Sequence, residues 1–361
     1  MSIRTVKRHM TLPRTGRGFS LVELMVALAI GLFLVIGLIS LLVSTSHSRT
    51  ELDKTSRQIE NGRYALQLLV TDVQHAGFLG HYMPKSDVTY STTADPCGPA
   101  ASDFVVIAGS PPAITVPVFL YGYDGSTTAP TCVTNRVANT AAIVIRRAST
   151  TTTTVGAAAA GETYIQVDAC GPLAPPLVVS SNTGDFVLQT KDCATVSPLN
   201  KYVVRIYYVG SCNDCSGGGD GVPTLNVVEF LNGAMSQPRS VVEGIQNMQF
   251  DYGVDMNSDG APDCYITNPT SPDASQISTT VCPNPTSYDW TNATRNWSNV
   301  VTVRVYVLAR NTEPTADWSD TRTYDLGKAG SYTPPTGDKF KRHVYSAVAR
   351  AVNISGRKEA P

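Results

Sequence analysis

The chain has 361 residues, with 28 Lys and Arg against 29 Asp and Glu, and 42% of its residues are hydrophobic. This length suffices for a large core, or for one domain with a sizeable insertion. Without the basic residues of its first 18 positions, the chain has no basic patch that suggests nucleic-acid binding as a main role.

The N-terminal region combines a basic leader with a long apolar run. Residues 1–18 contain no acid and five basic residues, namely Arg4, Lys7, Arg8, Arg14 and Arg17. The 20 residues Leu24–Val43 carry no charge, and as a helix they are about 30 Å long, which matches a bilayer core. Because basic flanks stay in the cytoplasm, we expect a single-pass inner-membrane protein with its N-terminus inside and its C-terminal domain in the periplasm.

The position of Gly18 distinguishes this leader from a secretory signal. A secretory signal is cut after an apolar core of ~7–15 residues, whereas Gly18 precedes the apolar run. A cut after Gly18 removes the leader (1–18) and leaves the anchor attached. The mature chain then has 23 basic and 29 acidic residues, a net charge of −6.

The string Gly18-Phe19-Ser20-Leu21-Val22-Glu23 resembles the cleavage and methylation signature of type IV prepilins and type II secretion pseudopilins. The resemblance implies that a prepilin peptidase cuts after Gly18 and N-methylates Phe19. In a filament, Glu23 then pairs with the Phe19 amine of a neighbouring subunit, which sets axial register more than it adds stability. The alternative is that Glu23 only complements the dipole at a helix N-terminus.

The anchor helix is expected to continue past the membrane. Residues 19–43 form the predicted transmembrane or filament-core half, and 44–80 form an amphipathic half. Its apolar positions recur near a 3.6 period at Leu52, Ile59, Leu66, Leu69, Val70 and Val73. Gly77 and Gly80 are the expected stop signals.

Residues 81–361 are predicted to form a β-rich globular domain. β-branched and aromatic runs are bounded by Gly, Pro, Asn and Asp at 104–107, 142–146, 164–167, 186–189, 202–208, 225–230, 300–308 and 344–352. The runs 202–208 and 225–230 are expected to form a hairpin, and the Thr- and Ala-rich stretch near 149–161 a low-complexity connector. The fold class is therefore α+β, with the long helix packed on an antiparallel sheet.

Several strings resemble the PilW family of type IV pilus minor pilins, namely Glu60–Leu66, Val242–Asp255, Val303–Arg310 and Lys341–Tyr345. The resemblance implies a pilin-like fold and a non-enzymatic part in priming pilus assembly near the filament tip. It implies other minor pilins, the major pilin and the inner-membrane assembly platform as partners, with a tip adhesin as a further one. It also implies movement from inner-membrane lipid to the pilus on the cell surface. Residues 86–200 depart most from this family.

All eight cysteines follow the apolar run, and an even number on the translocated side fits disulfides in an oxidising periplasm. The alternative is free, buried cysteines. Proximity in sequence predicts the pairs Cys212–Cys215 and Cys264–Cys282. The remaining four cysteines are assigned to the pairs Cys97–Cys132 and Cys170–Cys193. Because Cys212-Asn-Asp-Cys215 lies in a Gly-rich loop, a structural disulfide is favoured there over a redox or zinc site.

One acidic segment resembles a calcium loop in its first nine positions. Its oxygen ligands alternate along the chain, at Asp255, Asn257, Asp259, the Ala261 carbonyl and Asp263. The twelfth position holds Ile266 where such a loop has a bidentate Glu, so calcium is expected to bind weakly. The alternative is an acidic turn whose side chains bond backbone groups.

No nucleophile elbow, HExxH or phosphate-binding loop surrounds any of the five histidines. We therefore expect no catalysis. Two other interpretations remain open, a minor pseudopilin of a type II secretion system and a membrane-anchored ligand-binding or hydrolytic domain that uses a prepilin leader.

Overall fold

The computed structural model describes residues 18–84, 88–91, 95–98, 103–107, 113–171, 176–283 and 287–359. The predicted leader, apart from Gly18, lies outside these residues. The chain divides into two compact units, Met1–Asp53 and Lys54–Pro361.

The N-terminal helix α1 runs for 55 residues, Leu21–His75. In the first unit its apolar side chains are exposed along the whole uncharged run. In the second unit Ala65, Leu69 and Val73 are buried on one face and Leu66 and Val70 are half-buried, which confirms the amphipathic pattern for the end of the helix. The pattern was wrong for its start, because Leu52 is 69% exposed and Ile59 is 39% exposed. The helix ends two residues before Gly77, whose φ of 74° suits glycine.

Seventeen strands occur in the part of the chain that the structure describes. They are β1 (Thr89–Tyr90), β2 (Val105–Ile107), β3 (Ala113–Val116), β4 (Leu120–Tyr123), β5 (Ala142–Thr153), β6 (Tyr164–Val167), β7 (Leu177–Ser180), β8 (Leu199–Gly210), β9 (Thr224–Leu231), β10 (Ala234–Met235), β11 (Arg239–Glu243), β12 (Ile245–Val254), β13 (Cys264–Ile266), β14 (Val300–Arg310), β15 (Tyr324–Asp325), β16 (Ser331–Tyr332) and β17 (Arg342–Arg350). Two short helices, α2 (Ala293–Ser298) and α3 (Val352–Glu359), flank β14 and β17 in sequence.

Two antiparallel sheets form most of the second unit. The 8-stranded sheet follows the path β10-β9-β8-β5-β4, with β11 beside β9 and the β6–β7 hairpin beside β8. The 4-stranded sheet has the order β13-β12-β14-β17. The predicted hairpin is confirmed, because β8 and β9 pair antiparallel from Arg205 with Glu229 to Gly210 with Thr224. A long helix with antiparallel sheets confirms the α+β fold class.

Two local predictions differ from the structure. β5 extends through Thr153, so the first part of the predicted connector is strand, paired with Leu199 and Asn200 of β8. The run 186–189 was predicted as a strand but makes only the isolated bridge between Gln189 and Val196. Phe186 instead follows a 3₁₀ turn, and its ring packs against Tyr164 and Leu199 in a small separate cluster.

The main core joins the buried face of α1 to both sheets. Leu69 and Val73 of α1 belong to one apolar cluster with Ile206 of β8 and Val305 of β14. Gln58 of α1 reaches the ends of two strands, because its amide donates to the carbonyls of Ala309 at 2.9 Å and Lys341 at 3.1 Å. The helix is thereby fixed to the sheets by apolar burial and by hydrogen bonds to strand ends.

All eight cysteines are paired. The four disulfides are Cys97–Cys132, Cys170–Cys193, Cys212–Cys215 and Cys264–Cys282. The last two are the pairs predicted from proximity in sequence, and the first two are the pairs assigned to the remaining cysteines. Each bridge closes a local segment, of 35 residues or fewer. They restrict loops between strands and leave the long-range contacts to the core.

Candidate assembly site and its supporting contacts

The N-terminus of α1 is a capped helix start. The Ser20 hydroxyl accepts a hydrogen bond from the Val22 amide at 3.3 Å, and Glu23 Oε2 accepts one from the Ser20 amide at 3.2 Å. This exchange is a capping box, which Ser and Glu three residues apart are suited to form. Within one chain, Glu23 therefore caps the start of α1 by a hydrogen bond.

The residues around Glu23 are fully available to a partner. Phe19 is 88% exposed, and Glu23 is also exposed. The following run, Leu24–Val43, is exposed and uncharged, and among the described residues α1 is the helix long and apolar enough to cross a membrane. A carboxylate at the border of such a surface is costly to bury without a cationic partner.

The C-terminal part of α1 docks on the 8-stranded sheet through a buried carboxylate. Asp72 Oδ1 accepts from Arg147 Nη2 of β5 at 3.0 Å, and Asp72 Oδ2 accepts from Arg205 Nη1 of β8 at 2.9 Å. The Tyr207 hydroxyl donates to the same Oδ2 at 2.5 Å. Arg205 in turn donates to Glu229 of β9 at 2.6 Å. None of these partners was predicted from the sequence.

The charges around Asp72 decide its protonation. Burial acts to raise the pKa of Asp72, but the Arg205 charge, the Tyr207 hydroxyl and the Arg147 charge outweigh it, so the pKa is lowered. Asp72 is therefore ionised in the folded protein. Because a buried, satisfied ion pair specifies one geometry, this network fixes the position of the helix on strands β5 and β8.

The predicted calcium ligands lie together in the turn after β12, but their oxygens have backbone partners. Asp255 is fully buried, and its carboxylate accepts from the amides of Ser258 at 2.6 Å and Gly260 at 2.9 Å. Asp263 accepts from the Met256 amide at 2.6 Å. This is the pattern of the alternative acidic turn.

The rest of the loop follows the same pattern. Asn257 accepts from the Asp259 amide at 3.0 Å, and Asp259 accepts from the Ala261 amide at 2.8 Å. Within the described residues, no group of three or more His, Cys, Asp or Glu is placed to hold a metal. Calcium binding stays a prediction that calorimetry can test.

The chain also supplies its own cation to this loop. The ammonium of Lys358, on α3, lies 3.4 Å from Asp255 Oδ2 and donates to Asn299 Oδ1 at 2.6 Å. Burial lowers the pKa of Lys358, although the charge of Asp255 opposes this change. The contact links α3 to the turn that follows β12.

Comparison with protein families agrees with the helix and the sheets. The model of the prokaryotic N-terminal methylation motif matches residues 14–39, which include Gly18, Phe19 and Glu23. The chain is therefore a prepilin, a membrane-anchored precursor that a prepilin peptidase processes for pilus assembly.

A second family model matches part of the second unit and indicates the kind of prepilin. The family model of type IV pilus-assembly protein W, PilW, matches residues 206–353, from β8 to the start of α3. Over these residues the chain is similar to PilW, and together with the methylation motif this makes it a minor pilin of a type IV pilus. No curated protein and no solved structure matches it.

Proposed function

We propose that this minor pilin primes pilus assembly close to the filament tip, by pairing Glu23 with the methylated Phe19 amine of a neighbouring subunit. The supporting observation is the exposed Glu23 carboxylate at the start of an exposed 20-residue uncharged run. When such helices pack together they exclude water, and an unpaired carboxylate at their border becomes costly to bury. A cation from a neighbouring subunit removes this cost.

The orientation of the chain in the inner membrane and its binding partners are part of this proposed function. The N-terminus lies in the cytoplasm until cleavage after Gly18, and the disulfide-containing domain folds in the periplasm. The partners are the prepilin peptidase, the assembly platform, the other minor pilins and the major pilin, with a tip adhesin held by the same complex. The protein acts as a structural component rather than as an enzyme.

Two variants separate processing from assembly. Gly18→Val puts a side chain next to the cut bond and is expected to accumulate as full-length precursor. Glu23→Ala keeps the cut site, so it is expected to be processed, to stay in the inner membrane and to be missing from sheared filaments. Immunoblots of membranes and filaments measure both results.

The same experiment tests the position in the filament. An incoming subunit uses its glutamate to meet the subunit above it, and the first subunit has none above it. A requirement for Glu23 therefore places this protein near the tip but below its apex. Incorporation of Glu23→Ala at wild-type levels would falsify the pairing and leave the capping role.

A further inference from the structure

The last strand of the 4-stranded sheet has an open edge. β17 pairs with β14 in continuous register over nine residue pairs, from Arg310 with Arg342 to Thr302 with Arg350. Among the described residues no strand pairs with its other side. The opposite edge of this sheet is the three-residue strand β13, which begins at the disulfide-bonded Cys264.

The hydrogen bonds show which backbone groups face outward. The Asn311 amide donates to the Lys341 carbonyl at 3.0 Å, and the Ala351 amide donates to the Val301 carbonyl at 2.9 Å. Odd-numbered residues of β17 therefore bond β14, since residues alternate along an antiparallel pair. The backbone groups that point away from β14, toward the open edge, are the amides and carbonyls of Val344, Ser346 and Val348. The carbonyl of Arg342 is covered by Arg322, whose Nη2 lies 3.5 Å away.

This edge lacks the usual protection against pairing. Natural edge strands are kept from pairing by proline, bulges, charged residues or short length. The segment 344–348 has no proline and no charge, its register has no bulge, and Val348 is 59% exposed. Such an edge is a template for strand addition, in which backbone hydrogen bonds provide affinity.

The charges beside the edge indicate the occupant. Arg350 pairs with Glu359, and Arg342 pairs with Asp338. Lys339 and Arg63 are exposed and have no carboxylate partner in the part of the chain described. Arg63 lies close enough to Tyr345 of β17 that its charge partly offsets the rise in the pKa of Tyr345 caused by burial. Positive charge without a carboxylate partner is therefore present just before β17, at Lys339, and near Tyr345, at Arg63.

We infer that β17 receives an extended, acidic segment of another pilin subunit, which adds as a fifth strand beside Val344, Ser346 and Val348. A second copy of this chain is disfavoured, because it carries the same unpaired cations beside its own β17 edge. The inference rests on the proposed function, and it adds that β17 of the second unit binds a neighbouring subunit.

Ser346 allows a clean test. Its amide points outward, so Ser346→Pro removes one donor and places a ring at the edge without breaking a bond to β14. Ser346→Ala keeps the amide and is the matched control. The expected result in sheared filaments is wild-type incorporation for Ser346→Ala and about tenfold less for Ser346→Pro, as for the loss of ~1.4 kcal/mol of binding.

A photo-crosslinking amino acid at position 346 of the full chain identifies the occupant in cells. The crosslinked peptide is expected to be an acidic, extended segment of another pilin, and a crosslinker at the exposed Thr154 is expected not to capture it. Crosslinks at position 346 to a second copy of this chain, or to no pilin, would overturn the inference.

Folding and function are controlled separately. If Ser346→Pro lowers the thermal midpoint, Val348→Asp replaces it, with Val348→Asn as the control, because an aspartate at the edge repels an acidic strand without changing the backbone. Absence of the wild-type chain from filaments would contradict the proposed function itself. Wild-type incorporation of the edge variants contradicts only the role of β17.

Discussion

Gly62 of α1 faces the ring of Tyr345 on β17 so closely that a Cβ atom at position 62 would overlap the ring carbons. The glycine is required by this close approach, since its backbone is helical. Tyr345 thus sets the distance between the helix and the end of the 4-stranded sheet. The ring belongs to the residues packed on the main core.

We expect Gly62→Ala to destabilise the protein, because the overlap with the ring costs about 1–3 kcal/mol and exceeds the gain of ~1 kcal/mol in helix propensity. Chemical denaturation of the detergent-solubilised chain measures the change. Gly156→Ala is the control, since a Cβ there meets open space.

Tyr345→Ala in the Gly62→Ala background is expected to restore part of the lost stability, as a double-mutant cycle detects. A Gly62→Ala protein more stable than wild type would show that the ring moves aside without cost.

Asp72 is expected to contribute most to stability above about pH 4. Removal of one partner from a buried ion pair costs about 3–5 kcal/mol, so Asp72→Asn is expected to lower the free energy of unfolding by that amount near pH 7. Glu60→Gln, on the exposed side of α1, is the control and is expected to change it by less than about 0.5 kcal/mol.

The pH dependence has a definite sign. The pKa of Asp72 is lower in the folded protein than its ordinary value of 3.8. Its contribution is therefore complete above that value and is lost as the pH falls through the lower, folded pKa. The difference in stability between wild type and Asp72→Asn is expected to shrink in acid. A difference that stays constant down to about pH 2 would contradict the ion-pair role.

Lys358 is expected to compete with calcium. Calcium at the Asp255 loop must displace an ammonium 3.4 Å from the carboxylate, so wild-type affinity is expected to be no tighter than ~10⁻⁴–10⁻³ M. Lys358→Met removes the competitor and is expected to bind calcium more tightly by calorimetry, and Asp259→Ala in that background is the control. No heat from either protein at millimolar calcium leaves the acidic turn as the only interpretation.

The parts of the fold that follow local rules were predictable from the sequence. The leader, the uncharged run and the Ser20–Glu23 spacing lie within one short segment, and each disulfide joins cysteines close in sequence. The partners of Asp72 were not predictable, because Arg147 and Tyr207 are 75 and 135 residues away. Pairing at that distance depends on the order of strands in the sheet, which periodicity does not encode.

Phe186 and the threonines of β5 show a second limit. A threonine run without apolar alternation predicts a connector, yet Thr152 and Thr153 pair with β8 after a shift of register that follows Ala148. Phe186 has high strand propensity, but burial against Tyr164 decides its conformation. The strand propensity of a residue describes how well its side chain packs on a half-buried sheet. It does not fix the backbone conformation of that residue.

The hydrogen bonds from the Gln58 amide to Ala309 and Lys341 join α1 to residues that lie far along the chain. The carbonyl of Lys341 lies 283 residues beyond Gln58, so this part of α1 is synthesised well before that partner. Each of the four disulfides spans 35 residues or fewer, and all eight cysteines precede Lys341 in the chain. Asp72 can therefore reach Arg147 and Arg205 before Gln58 can reach Lys341, and the contacts of α1 with the start of β17 are expected to form last.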